Sequence, residues 1–381
     1  MLYSFSAVYL THKGFTDTQI GYTVSLIGFL NIILQLAVSS FSDSHSTIPL
    51  KRIIAALYII SIAFGVLMSS LPLATALLMF VFMTASSTQN SVSTLLNSMT
   101  LQYNNNGINA TYGWPRGIGS IAYAVLAFFG GQIVKRYSPA ILPYLFILFA
   151  VIALAAILMM PDPFKLIGEN TAGNTQGSKK KNSSTSFKDM MLKNPILLIF
   201  ALAVLVNSAG QVAVNTFLIR IVESLGGDTR TLGTCMFLQA VVEFPIMAVS
   251  SFLMTKFKAR YLLLISFFCF AVKMFALANA PSLAVVYGAM VFSIFCFGLY
   301  AVTMLVFVNR IVGITEKVRG QAVVSVFGSF GAMIGNAVSG RMIDTVGLKF
   351  QLNISWIACL LAAFLMLACC LIFNRKFGKD A

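Results

Sequence analysis

The chain has 381 residues, of which 58% are hydrophobic and only 10% charged, and its mean hydropathy is +0.88. So much apolar surface excludes a single soluble core and indicates a polytopic helical membrane protein. The net charge of +15 does not mark a nucleic-acid binder, because the basic residues sit in the breaks between apolar runs rather than on one face interleaved with aromatics.

The opening MLYSFSAVYLTH is apolar but spans only about 18 Å as a helix, too short to cross a bilayer. It has neither a basic start nor a small-residue cleavage site, so it reads as the end of a first helix whose earlier residues lie upstream of Met1. Full spans are expected at about 18–43, 52–71, 73–101, 110–136 and 139–160. Residues 161–194 are rich in Gly, Asn, Ser and Lys and form a solvated linker; their Lys179, Lys180 and Lys181 read as a topogenic cluster rather than a lipid-headgroup site. Six more spans follow at about 195–221, 229–255, 259–280, 281–309, 318–343 and 350–373. The expectation is therefore an all-α membrane protein with an N-terminal helical half (1–160), a linker (161–194) and a C-terminal helical half (195–381), about 11 full spans in all. If the linker is cytoplasmic, about 17 basic residues lie on its side and about seven on the other, which places both chain ends inside.

The halves repeat. TDTQIGYTVSLIGFLNIILQLAVSSF (16–41) aligns with GDTRTLGTCMFLQAVVEFPIMAVSSF (227–252), sharing Gly21/Gly233 and the pentapeptide AVSSF. Gly119, Ser120 and Gly131 are echoed by Gly328, Ser329 and Gly340. Parallel six-helix repeats about a central linker are the design of alternating-access carriers, whose binding site lies between the halves near mid-membrane.

Polar residues at mid-span are thus the functional candidates. Of eleven carboxylates only Glu243 sits deep inside an apolar run, and Lys273 falls at nearly the same depth on the next, antiparallel span. Such a pair serves either as a proton or substrate site or as a fixed ion pair that holds two helices in register. Asn31 and Gln35, and likewise Asn207 and Gln211, are four residues apart and share a helix face; with Gln89, Asn90, Asn97, Asn215 and Gln239 they suit either hydroxyl-rich solutes in a wet cavity or interhelical hydrogen bonds. Six cysteines lie in apolar runs without partner spacing, and His12 and His45 stand alone, so neither a metal site nor a cofactor is expected. A lone internal carboxylate with no internal histidine leaves too few acid/base groups for a membrane enzyme.

YGWPRGIGSIAYA (112–124) resembles the helix-five pattern of the major facilitator superfamily, and within it of the lactose-permease-like oligosaccharide/proton symporters. That resemblance covers nearly the whole chain. It implies that Arg116 hydrogen-bonds sugar hydroxyls and that Tyr123 stacks on the sugar ring. It also implies a substrate-site role for Lys273 and, about one turn displaced, for Glu243. SFSD ending at Asp43 resembles the gating motif after helix two, with Ser39 in place of its glycine and no basic residue directly after the aspartate. EKVRGQA (316–322) is similar to the family's segment entering helix eleven. Helix ten lacks the histidine and glutamate of the lactose permease, so any proton coupling rests on Glu243 alone.

The expected function is secondary transport of a small hydroxylated solute (sugar, glycoside or nucleoside), with a proton as coupling ion. The alternatives are a facilitative uniporter or exchanger and a transport-dead sensor. Asn207, Gln211 and Gln239 complete the expected substrate site beside Arg116, Tyr123, Glu243 and Lys273, and Asp43 is the expected gate residue. The partners expected are solute, proton and membrane lipid, with no nucleic acid, for a monomer in the bacterial inner membrane.

Overall fold

A computed structural model describes residues 2–44, 48–70, 74–105, 113–160, 194–312 and 317–377. All regular structure among them is helical. In chain order the helices are α1 (Ser6–His12), α2 (Asp17–Ser44), α3 (Leu50–Ser70), α4 (Thr75–Asn105), α5 (Gly113–Tyr137) and α6 (Leu142–Met159). After the linker come α7 (Pro195–Asn215), α8 (Leu218–Ser224), α9 (Thr229–Lys256), α10 (Ala259–Ala278), α11 (Leu283–Val291), α12 (Phe297–Ile311), α13 (Lys317–Thr345) and α14 (Leu348–Phe377). Nine spans among the described residues are long and apolar enough to cross a bilayer, counting α11 and α12 with the 3₁₀ turn Phe292–Phe295 between them as one. The remaining two long helices, α4 and α9, have 31 and 28 residues. Both carry more polar residues; α9 packs on α5 of the other half, and α4 packs on α2 and α3 of its own. All but Asn194 of the expected linker, including Lys179 to Lys181, lies outside the described residues.

The helices alternate in direction, so the molecule has a linker end and a far end. At the far end the repeat is visible in the backbone. Short α1 and α8 each follow a break, at Phe5 (φ −103°, ψ 20°) and Phe217 (φ −106°, ψ 16°). Each is closed by a glycine in the left-handed region, Gly14 (φ 84°) and Gly226 (φ 77°), a conformation that excludes most other residues. Helix α1 is thus the counterpart of α8 in the repeat.

Packing differs between the two ends. One buried cluster at the far end takes Phe5, Tyr9, Ile20 and Phe82 from the first half and Phe217, Leu218, Val222 and Met274 from the second. Toward the linker end each half has its own cluster, around Leu50, Ile54, Tyr58 and Val92 in the first and around Phe200, Phe267, Phe307 and Met366 in the second. The hydrophobic effect therefore fuses the halves at one end and stabilises each separately at the other.

Two glycine crossings mark where α2 meets α13 and α5 meets α9. A Cβ placed on Gly340 would stand 3.0 Å from the Gly21 Cα, and one on Gly131 would stand 2.9 Å from the Gly233 Cα. No larger residue permits backbones this close.

Candidate functional site

Below the Gly21/Gly340 crossing lies a cavity of about 290 Å³ between the halves. Its walls come from α2 (Val24, Gly28, Asn31, Ile32, Gln35), α4 (Asn90, Ser91), the N-terminal Tyr3 and α13 (Ser329, Ala332, Met333, Asn336). Helix periodicity explains the α2 wall, since residues 24, 28, 31 and 35 recur every three to four positions. The roof is formed by Ser25 Oγ, which donates to the Met333 carbonyl (2.9 Å), and by Gly28, which admits the Met333 side chain. Asn336 is committed to structure: its Oδ1 accepts from Thr216 Oγ1 (2.7 Å) and its Nδ2 donates to the Ala332 carbonyl (2.8 Å). Asn31 Oδ1, by contrast, is buried without a hydrogen-bond partner.

The residues expected from sequence fall into three places. Tyr123 and Glu243 approach one another across the α5/α9 seam, close enough to interact electrostatically, with Tyr123 Oη donating to Ser4 Oγ (3.1 Å) and Gln239 hydrogen-bonding the Glu243 carboxylate. Lys273 is in the interior of the second half. It is 2% exposed, and its Nζ donates to Ser293 Oγ (2.6 Å) on the 3₁₀ turn. Among the described residues no direct ion pair joins Glu243 to Lys273, although each lies within the other's electrostatic reach: equal depth does not fix helix rotation, and Lys273 turns toward Ser293. Asn207 and Gln211 also point into the second half, where Gln211 Nε2 donates to Cys359 Sγ (3.3 Å) and Asn207 Oδ1 is buried without a partner. They do not line the cavity.

Arg116 and Asp43 lie on α5 and α2, but their side chains are outside the described residues. Pro115 and Arg116 lie on α5, whose first described residue is Gly113.

Sequence reasoning missed a polar network at the far end. Helix α2 begins with a capping box: Gln19 N donates to Thr16 Oγ1 (3.3 Å) and Thr16 N donates to Gln19 Oε1 (3.1 Å). Its two remaining free amides are capped from the other half, as Asp17 N (3.2 Å) and Thr18 N (2.6 Å) both donate to the Asp344 carboxylate on α13. Arg220 on α8 binds Asp17 (2.8 Å), Glu223 (3.1 Å) and Thr11 Oγ1 (3.0 Å), joining α1 and α2 to the second half. Burial opposes the Arg220 charge, but Asp17 and Glu223 outweigh it and raise the guanidinium pKa. Across the α5/α9 crossing, Lys135 pairs with Asp228 (3.3 Å), which also caps its own helix by accepting from Arg230 N (2.9 Å) and Thr231 N (3.1 Å). Slight burial raises the Asp228 pKa, but these donors and Lys135 more than offset it and hold the carboxyl below the usual range. The TDTQ capping box was a readable signal; the trans cap at Asp344 was not, because it is contributed 326 residues away.

Comparison with known proteins places this geometry. The chain is 24% identical over 251 residues to the uncharacterized transporter YwbF of Bacillus subtilis (strain 168), a match spanning 65% of this chain and 58% of that protein. Its fold superposes on crystal structures of the nucleoside transporter NupG and of a point mutant of that transporter with a TM-score of 0.77 and 15% identity. Each superposition covers 98 to 99% of this chain and 95% of the other. Identity that low establishes the fold alone. The sequence also matches the family described as MFS_1 like over residues 1–354, so the chain belongs to that family and is a transporter of the major facilitator superfamily, not an enzyme.

Proposed function

We propose that the protein is a secondary carrier that moves a small hydroxylated solute, a sugar, glycoside or nucleoside, by alternating access. The observation that carries this reading is the contrast between ends: a shared core with two glycine crossings at the far end, separate cores toward the linker, and a half-open cavity lined by polar and apolar residues of both halves. Its volume of about 290 Å³ is at the lower edge of the usual ligand-site range of about 300–1,000 Å³, which suits one monomeric solute.

In this reading Arg116, Tyr123, Glu243 and Gln239 line the route from the α5/α9 side, and Glu243 carries the coupling proton. Lys273, Asn207 and Gln211 act from the interior of the second half, where Lys273 and Gln211 hold its helices through Ser293 and Cys359. The linker and both ends face the cytoplasm, and Asp43 gates that side.

Uptake by purified protein in proteoliposomes, with and without an inward proton gradient, tests the proposal. Accumulation of a sugar, glycoside or nucleoside above equilibrium is the expected result, and Glu243→Gln should abolish accumulation while leaving exchange partly intact. Equal uptake with and without the gradient would instead establish a uniporter or exchanger. No uptake of any solute would contradict the carrier function.

A further inference from the structure

We propose that the cavity between α2, α4 and α13 is the solute-binding site, and that its ligand is an uncharged heterocyclic amide or amidine, a nucleobase either free or as the base of a nucleoside. This rests on the carrier reading above and narrows its substrate.

Three side-chain amides converge on the cavity with unused hydrogen-bonding capacity. Asn31 and Gln35 project one helical turn apart from α2, and Asn90 faces them from α4. Asn31 Oδ1 is buried and unpartnered, and among the described residues no hydrogen bond engages Gln35 or Asn90. Leaving a buried polar atom unsatisfied costs about 1–3 kcal/mol, so the site is built for a group that supplies the missing donor. No carboxylate, ammonium or guanidinium is among the described lining residues. The solute is therefore recognised without charge compensation, and an ionised ligand would remain unpaired in the site.

The kind of polar group then discriminates between neutral solutes. A carboxamide presents one acceptor and one N–H donor side by side in a plane, matching the donor and acceptor edge of a base as Asn and Gln do when they read adenine. A sugar diol has two hydroxyls that rotate independently, and the planar fork of a guanidinium engages them more fully. The remaining wall mixes Tyr3, Ser91, Ser329 and Asn336 with the apolar Val24, Ile32, Ala332 and Met333, and Met333, inserted at Gly28, offers its thioether to a ring face. Because the amides belong to the first half while Met333 and Ser329 belong to the second, a bound ring bridges both halves just below their glycine crossing. A bridging ligand can thereby bias the movement of one half against the other.

Isothermal titration of the full-length protein in detergent with adenosine, uridine, adenine, uracil and methyl β-glucoside tests this. At least one base-bearing ligand should bind. The free bases matching their nucleosides would identify a nucleobase site, and their binding more than tenfold weaker would show that the ribose is also held. Asn31→Ala and Asn90→Ala should each weaken binding at least tenfold with unchanged thermal stability, and Asn31→Gln, which keeps the amide, should recover part of the loss. Should Asn31→Ala lose stability, Asn90→Ala together with the Asn31→Gln recovery provides the same reading.

Binding of methyl β-glucoside without any base-bearing ligand would overturn the proposal yet leave the carrier intact. Base binding that is unchanged in both alanine variants would place the site elsewhere and also overturn it. Binding of none of the five, with no uptake of any solute in proteoliposomes, would remove both this inference and the carrier reading.

Discussion

The two far-end seams are related by the internal repeat, yet they are fastened differently. Where α2 meets α13, the charges are shielded and shared between halves: Arg220 and Asp17 have side chains only 22% and 10% exposed, and Asp344 caps a helix that is not its own. Where α5 meets α9, the aspartate caps its own helix, and the only described ion pair across the seam, Lys135 with Asp228, is 53% and 36% exposed. Shielded ions lose much when one partner is removed, whereas exposed pairs contribute about 0.2–1 kcal/mol. The α2/α13 seam is thus the stiffer hinge, and the α5/α9 seam is the one that parts more readily.

Breaking the comparison at its strongest point means placing bulk at a crossing. Gly340→Leu or Gly131→Leu drives a side chain into facing backbone, so the far end must open. Uptake should fall at least tenfold, and a thiol placed at the far end of either seam should become reactive from that side. Next in size is Arg220→Gln, which leaves Asp17 part-buried without its cation. It should lower stability by about 3 kcal/mol in a thermal or denaturant melt, with Arg220→Lys recovering only part because it lacks the fork that reaches Asp17 and Thr11 together. Asp344→Ala should cost about 1 kcal/mol, as for loss of an N-cap, and Asp344→Asn less because an acceptor remains.

Lys135→Met should have the smallest effect, at most about 1 kcal/mol and absent at high salt. Its pH dependence follows from the depressed pKa of Asp228. The stabilisation is present above the unfolded value of about 3.9 and is lost as pH falls through the lower folded value. A melt of wild type against Lys135→Met should therefore show a constant difference from pH 5 to 8, narrowing only below about pH 4.

Much of this arrangement was legible in the sequence, but not in the form it takes. The echoes Gly21/Gly233 and Gly131/Gly340 correctly marked special positions. Repeat mates, however, are not contact mates: Gly21 meets Gly340 and Gly131 meets Gly233, because each half lends its second helix to the fifth of the other. Apolar run length located the spans, as helix geometry and bilayer thickness together require. Depth placed Glu243 and Lys273 at one level but could not give their rotation, which depends on tertiary packing. Arg220, Asp17 and Asp344 passed as ordinary charges at span ends. Their partners lie 203 to 327 residues away in the chain, beyond any local capping or charge pattern.

The central claim is that the far end, closed here by a shared core and two glycine crossings, must open for solute to pass. The most direct measurement is uptake by a protein carrying Lys135→Cys and Asp228→Cys, joined across the α5/α9 seam by a short reducible bifunctional thiol reagent. The account predicts that the cross-linked protein takes up no solute and that reduction restores uptake to the level before cross-linking. Full uptake with the cross-link in place would contradict it.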